Sequence, residues 1–403
     1  MTQAATATFV THRHLLDTYA EAIAAGMTDA EYVGLVTELD ARVAAVDGHG
    51  FAETPLVQLD TPMSRLVWAK VETGNVAGSH KARHLFGLAL QSIISRCGTA
   101  GRDEPTLAIA SCGNAALGAA VVARALDRDL DVFVPVDADP LVIERLAMLQ
   151  ANVITCEREP SAVGDPCMAG LQHAVRNGAE PFTVQGTTCP GVFDGARTIG
   201  LELAEQLTEL GVEPTDLYIQ VGGGAFATAV VDGLLRADLI PLPRLHPVQP
   251  LAAHPLAEAW HRLVPRLLDV LGEEDPQDAR TLADLLRPAA QAGVFDRVIA
   301  EADDVMVAWP GVPTSIATGI LDDMTYDWRP LLTHQLRTGG WPVLPSEADF
   351  ARAAMLAASQ VEPPPDPTGA AGLAGMLIDH DATDDPAVVI LSGVDRIWEA
   401  AHH

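Results

Sequence analysis

The sequence predicts an α/β chain built on parallel sheets covered by helices, and three observations carry that prediction. Between Thr106 and about Gly186, short apolar strands alternate with helical patterns over short connections. Two strand ends, at Ser111–Ala115 and Gly222–Ala225, turn through glycine directly into a helix. An apolar fraction of 48% over 403 residues is ample for the buried cores of two or three domains.

Composition narrows the function. A formal net charge of −29 argues against nucleic acid or an acidic membrane surface as partner, since both require a basic face. The five cysteines, Cys97, Cys112, Cys156, Cys167 and Cys189, form no CxxC pair and no metal-like spacing with histidine. No metal site is expected, and a reducing cytoplasm fits the odd count. The N-terminus lacks a basic patch followed by an apolar core, and no apolar run approaches about eighteen residues, so secretion and membrane spanning are unsupported.

Taken in order, residues 1–50 read as a helical extension, with Leu15, Tyr19, Ala22 and Ile23 at helical spacing and a second helix around Tyr32–Val46. The strand Arg65–Glu72 leads into a glycine-containing loop and helix start, Gly74–Leu85, where Ser79 can cap and Lys81 falls in the first turn. Lysine occurs only at Lys70 and Lys81, and every other basic side chain apart from histidine is arginine. That scarcity suits a lysine kept for Schiff-base chemistry, although a solvated helix-start lysine explains Lys81 equally well in isolation. Lys70, within a strand, reads as structural.

The next unit has strands TLAIAS, DVFVPV, NVITCE and PFTVQG, with helices at Ala115–Leu126, Pro140–Gln150 and Pro166–Arg176. Its first strand ends in Ser111-Cys112-Gly113-Asn114-Ala115, whose backbone N–H groups can hold a carboxylate or phosphate or can simply cap a helix. Further on, Asp216–Val221 is a buried strand, Gly222-Gly223-Gly224 the turn and Ala225–Leu235 a helix, an arrangement that suits phosphate. It also fits G-x-G-x-x-A, but the following strand ends in Gln249 and Pro250 without the acidic ribose partner a nicotinamide enzyme needs. No Gly-Lys-Ser or Gly-Lys-Thr follows, so a P-loop is excluded. Residues 260–308 are helix-rich and acidic, a lid, an oligomer contact or a solvated insertion, with Gly272–Asp278 as a linker. Near the end, strand Val388–Leu391 runs into Ser392-Gly393.

A lysine able to form an imine and a turn able to hold phosphate suggest pyridoxal 5'-phosphate. Here the chain resembles the fold-type II pyridoxal-phosphate enzymes, the tryptophan synthase β-like group, and within it the threonine and serine dehydratases. The resemblance is carried by Gly78-Ser79-His80-Lys81, Ser111-Cys112-Gly113-Asn114, Gly222-Gly223-Gly224-Ala225 and Ser392-Gly393, in the family's order. Phe193–Ile199 and Asp366–Gly372 add lesser matches, so it runs from about Thr54 to Gly393. It implies Lys81 as Schiff-base lysine and catalytic base, and Ser111, Cys112, Gly113, Asn114 and Ala115 around the substrate carboxylate. It further implies Asn114 on the ring hydroxyl, Gly222, Gly223, Gly224 and Ala225 on the phosphate, and Ser392 on the pyridine nitrogen. His80, Cys112 and Ala225 depart from the usual phenylalanine, serine or glycine, and fourth glycine.

By the same resemblance the architecture is two parallel-sheet, three-layer α/β domains with the cofactor between them. The large domain comprises 51–85 and 187–403, including a helical insertion at 260–308, and the small domain 86–186. The implied activity is β-elimination on a β-hydroxy or other β-substituted amino acid, giving a 2-oxo acid and ammonia, in a homodimer. β-Replacement, a threonine synthase-like reaction and racemisation remain alternatives. A nicotinamide dehydrogenase would leave Lys81 and Ser392 unexplained, and a silent binding protein would not need Lys81.

Overall fold

The computed structural model describes residues 8–96, 104–157, 165–311, 313–380 and 383–402; Cys97 and the first seven residues of the N-terminal extension lie outside them. In chain order the strands are β1 (Leu56–Leu59), β2 (Val67–Val71), β3 (Leu107–Ala110), β4 (Leu130–Pro135), β5 (Asn152–Cys156), β6 (Glu180–Pro181), β7 (Asp216–Gln220), β8 (Arg244–Val248) and β9 (Ala387–Leu391). They form two mostly parallel sheets, as the α/β prediction requires.

The chain divides into two compact units: 1–53, 74–202 and 399–403 in the first, 54–73 and 203–398 in the second. In the first unit the order is β5-β4-β3-β6, all parallel, with Ile109 opposite Val132. Helices Pro140–Met148 and Pro166–Arg176 start as their sequences dictate, with an aspartate cap followed by proline. Asp139 accepts from the Leu141 N–H at 2.9 Å and Asp165 from the Cys167 N–H at 2.8 Å. The expected strand over 181–186 shrinks to Glu180–Pro181. Pro181 is tolerated because its position faces the open edge of the sheet, the bonds to β3 coming from Glu180 and Phe182. After Phe182 donates to the Ala108 carbonyl the chain turns, with Thr188 and Cys189 both donating to the Gln185 carbonyl.

The first unit also takes in 74–85 and 187–202, which the family resemblance assigns to the large domain. The packing of helix Lys81–Ser95 against helix Val192–Leu210 explains this. A Cβ on Gly195 would stand 1.9 Å from the Arg83 carbonyl oxygen, so only glycine permits the crossing. Asp194, within the Phe193–Ile199 match, accepts the N–H groups of Asp17 and Thr18 at 2.7 and 2.9 Å and so ties down the N-terminal helices. Helix Asp29–Asp47 opens with a Thr28/Glu31 capping box and closes on Gly48 in the left-handed region.

The second unit has order β1-β2-β9-β7-β8, with only β1 antiparallel. β7 and β9 are buried at every position, as central strands covered on both faces should be; β9 is apolar throughout, whereas β7 carries Asp216 and Gln220 at its ends. Within the 260–308 stretch, helices Pro255–Leu271 and Ala279–Gln291 bury stripes that include Leu263, Leu267, Leu282 and Leu286. These helices are therefore core elements of their unit.

Candidate active site

In the first unit, Lys81 is the first residue of helix Lys81–Ser95 and is half-buried. Its backbone N–H reaches the Ser79 hydroxyl at 3.4 Å, a long contact for the cap read from sequence, and His80 occupies the formal cap position. The preceding loop is held in an unusual conformation. Ala77 has φ +55° and Gly78 φ +66°, and the Ala77 N–H donates to Asp47 Oδ2 at 3.0 Å. The Ser111–Asn114 turn follows β3 and opens helix Asn114–Leu126. This helix lies on the start of the lysine helix: a Cβ on Gly118 would be 3.1 Å from the Ala82 nitrogen. The unit thus brings the lysine loop and the serine–asparagine turn together. Cys112 is exposed there, and Ala115 is buried.

His84 lies one turn beyond Lys81 and is fully buried. Its Nδ1 is 2.8 Å from the Val192 carbonyl oxygen, which can only accept, so Nδ1 carries the proton and Nε2 the lone pair. Burial, reinforced by the Lys81 charge and opposed by that carbonyl, pushes its pKa down to about 3. His80 is buried too and meets His84 edge-on at 5.8 Å. Adjacent helix positions do not face each other, so the sequence predicts His80 as a packed neighbour; no motif in it points to His84.

In the second unit, the glycine turn follows β7 and opens helix Ala225–Arg236. The first helical turn leaves its N–H groups without intrahelical acceptors at the positive end of the dipole. Gly224, the cap, has φ +98°, and a Cβ on Gly222 would come 2.5 Å from Asp322 Oδ2. The left-handed cap at Gly224 disfavours a side chain there, and the glycines leave backbone N–H groups of the kind that suit phosphate. Asp322 is a carboxylate at this turn that no motif announced.

Ser392 follows β9, beside β7, and is 2% exposed. Its N–H donates to the Gly369 carbonyl at 3.1 Å, and the Asp366 N–H to the Gly393 carbonyl at 3.1 Å. The Asp366–Gly372 match therefore forms the seat of the serine. Burial raises the Asp366 pKa to about 6, against the Gly369 N–H and the Arg396 charge. The Gln220 side chain also reaches Ser392 and was missed in the sequence, where a glutamine in an apolar strand carries no pattern. The second unit brings the glycine turn and Ser392 together through these adjacent strand ends.

A lysine at a helix start, a side-chain-free turn at a helix N-terminus and a buried neutral hydroxyl are donors that fit an aldehyde, a phosphate and a heteroaromatic nitrogen. Among the described residues no group of three or more histidines, cysteines or carboxylates could hold a metal, and no helix is long and apolar enough to cross a membrane.

The fold and these donors define an α/β enzyme class whose strand ends carry the ligand-binding groups. The profile of the pyridoxal-phosphate dependent enzymes matches residues 49–393, and the chain belongs to that family. Over 173 residues it is 27% identical to the biosynthetic L-threonine dehydratase of Corynebacterium glutamicum, covering 42% of this chain and 38% of that one. Over 140 residues it is 28% identical to the diaminopropionate ammonia-lyase of Escherichia coli, covering 33% and 34%. The matched stretches thus span little more than a third of these relatives. The crystal structure of the E. coli diaminopropionate ammonia-lyase with a reaction intermediate superposes with a TM-score of 0.64 at 17% identity over 92% of each chain, a likeness of fold.

Proposed function

We propose that this chain is a lyase that removes a β-substituent from an amino acid and releases a 2-oxo acid and ammonia. The observation that carries the reading is the neutral, buried Ser392 hydroxyl, which does not force a proton onto a ring nitrogen as a carboxylate would. When bound, pyridoxal phosphate supplies a carbonyl carbon for the substrate amine and an electron-withdrawing ring. Lys81 would hold that carbon, and its free amine would take the α-proton of the substrate. The N–H groups of Ser111, Cys112, Gly113 and Ala115 orient the substrate carboxylate, and Asn114 holds the ring hydroxyl. Gly222, Gly223, Gly224 and Ala225 bind the phosphate.

A cytoplasmic homodimer belongs to the same proposal, and the free thiols of Cys156, Cys167 and Cys189 support the compartment. Asp322 favours a second reading, in which the leaving group is an ammonium paired with this carboxylate, as in a 2,3-diamino acid.

The test is to record the visible absorption of the holoenzyme while assaying 2-oxo acid from L-serine, L-threonine and 2,3-diaminopropionate. Release of 2-oxo acid that disappears with Lys81→Ala supports the lyase. A spectral change without turnover would indicate β-replacement, and D-amino acid without 2-oxo acid would indicate racemisation; either defeats the proposal. The second reading requires the diamino substrate to be preferred, and Asp322→Asn to remove that preference.

A further inference from the structure

Gln220 is the last residue of β7, 3% exposed, and precedes Val221 and the glycine turn. Its two Nε2 hydrogens are shared among three acceptors, the Ile390 carbonyl at 3.2 Å, the Gly369 carbonyl at 3.3 Å and, by the shortest contact, the Ser392 hydroxyl. The two carbonyls fix the orientation of the amide: each can only accept, so the atom facing them is nitrogen. Nitrogen therefore faces Ser392 as well. A hydroxyl oxygen that accepts from an amide directs its own hydrogen elsewhere. The other end of the amide is closed in by Gly372, where a Cβ would come 3.2 Å from Gln220 Oε1 and 2.6 Å from the Tyr218 carbonyl.

We propose that Gln220 is a positioning residue that sets the direction of the Ser392 hydrogen bond, so that the hydroxyl donates to the cofactor's ring nitrogen and keeps it unprotonated. The inference rests on the assignment of Ser392 to that nitrogen. An amide suits the task because it keeps its hydrogens at every working pH. By acting on Ser392, Gln220 tunes electron withdrawal without touching the cofactor.

The experiment uses holoenzyme loaded with pyridoxal phosphate labelled with 15N in the ring. It compares wild type, Gln220→Met, Ser392→Ala and the double variant by nitrogen chemical shift, cofactor dissociation constant and thermal midpoint. The wild-type resonance should be that of an unprotonated pyridine. Gln220→Met should move it and weaken cofactor binding about fivefold, the loss of one directed hydrogen bond. In the double variant binding should be no weaker than in Ser392→Ala alone, because Gln220 acts only through the hydroxyl.

If Ser392→Ala leaves the resonance and binding unchanged, the Ser392 assignment itself fails. If Ser392→Ala shifts the resonance but Gln220→Met changes only the thermal midpoint, or the two effects multiply, Gln220 is merely structural and the inference is overturned. Gln220→Glu preserves length should the methionine variant not fold. Its ionised form would accept from Ser392 and turn the hydroxyl lone pair to the ring. The resonance should then move toward the protonated value as pH rises, opposite to ordinary titration; movement the other way overturns the inference. Loss of cofactor binding in both Gln220 variants while Ser392→Ala still binds also overturns it.

Discussion

Replacing Glu202 with alanine should unfold the surroundings of the lysine helix more severely than any surface change. Arg83, two residues after Lys81, is wholly buried and forms a two-pronged pair with Glu202, Nη1 to Oε1 at 2.6 Å and Nη2 to Oε2 at 3.1 Å. Thr198 Oγ1 accepts from Nη1 at 2.9 Å. Both charged side chains are 0% exposed, so water cannot replace the lost carboxylate. Breaking a buried pair on one side costs about 3–5 kcal/mol, set against a total stability of roughly 5–15 kcal/mol. The assay is guanidinium chloride unfolding of Glu202→Ala beside Glu301→Ala. The latter removes the exposed Arg297–Glu301 pair, 86% and 65% exposed, and should cost no more than about 0.5 kcal/mol. The double variant Arg83→Met/Glu202→Leu should recover most of the loss, because an apolar pair of similar volume carries no desolvation penalty. A Glu202→Ala loss below about 1 kcal/mol, or a double variant worse than the single, would refute the reasoning.

Three further outcomes are expected. Gly195→Ala places a methyl 1.9 Å from the Arg83 carbonyl and should force the two helices apart at a cost of roughly 1–3 kcal/mol, read as a lower unfolding midpoint. Gly224→Ala puts an L side chain at φ +98° and 3.1 Å from the Thr325 methyl, so it should lose about 1–3 kcal/mol and weaken cofactor binding measured by fluorescence titration. His84 has a folded pKa of about 3 against an ordinary 6.5, so its stabilising contribution is complete above about 6.5 and is lost as pH falls toward 3. That loss amounts to roughly 5 kcal/mol, and His84→Asn should flatten the acid limb of stability against pH; an unchanged limb would show that His84 is not held neutral.

The features legible in the sequence are those whose causes are local. A glycine turn between a strand and a helix must be written in adjacent residues, so both turns and the lysine loop were visible, and the apolar runs of β7 and β9 announced central strands. Illegible features depend on partners distant in the chain. Arg83 reads as a solvated residue of a first helical turn until Glu202 is folded against it. Gln220 looks like a flaw in an apolar strand until Ser392, Ile390 and Gly369 surround its amide. Asp322 lies about a hundred residues from the glycine turn, in a stretch without periodicity. The length of β6 was misread because its end is set by the turn that follows: after Phe182 donates to Ala108 the chain turns at Gln185, whose carbonyl accepts from Thr188 and Cys189.

The two lysines show where the scarcity argument stops. Lys70 is also wholly buried, and its Nζ donates to the Thr54 carbonyl at 2.6 Å and to Gln206 Oε1 at 3.0 Å, while Gln206 Nε2 donates to the same carbonyl at 2.8 Å. A compact ammonium fits a sealed site of this kind, whereas a planar guanidinium with five donors in a fixed fork is bulkier and harder to satisfy there. Scarcity therefore marks positions where the shape of the cation matters, and packing is as good a reason as chemistry. What separates Lys81 is its setting: half-buried rather than sealed, at a helix start, after a loop held at φ +55° and +66°, and beside the Ser111–Asn114 turn. A lysine kept for its shape alone would need none of these, so the proposed catalytic role rests on the loop and its neighbours, with rarity only directing attention to it.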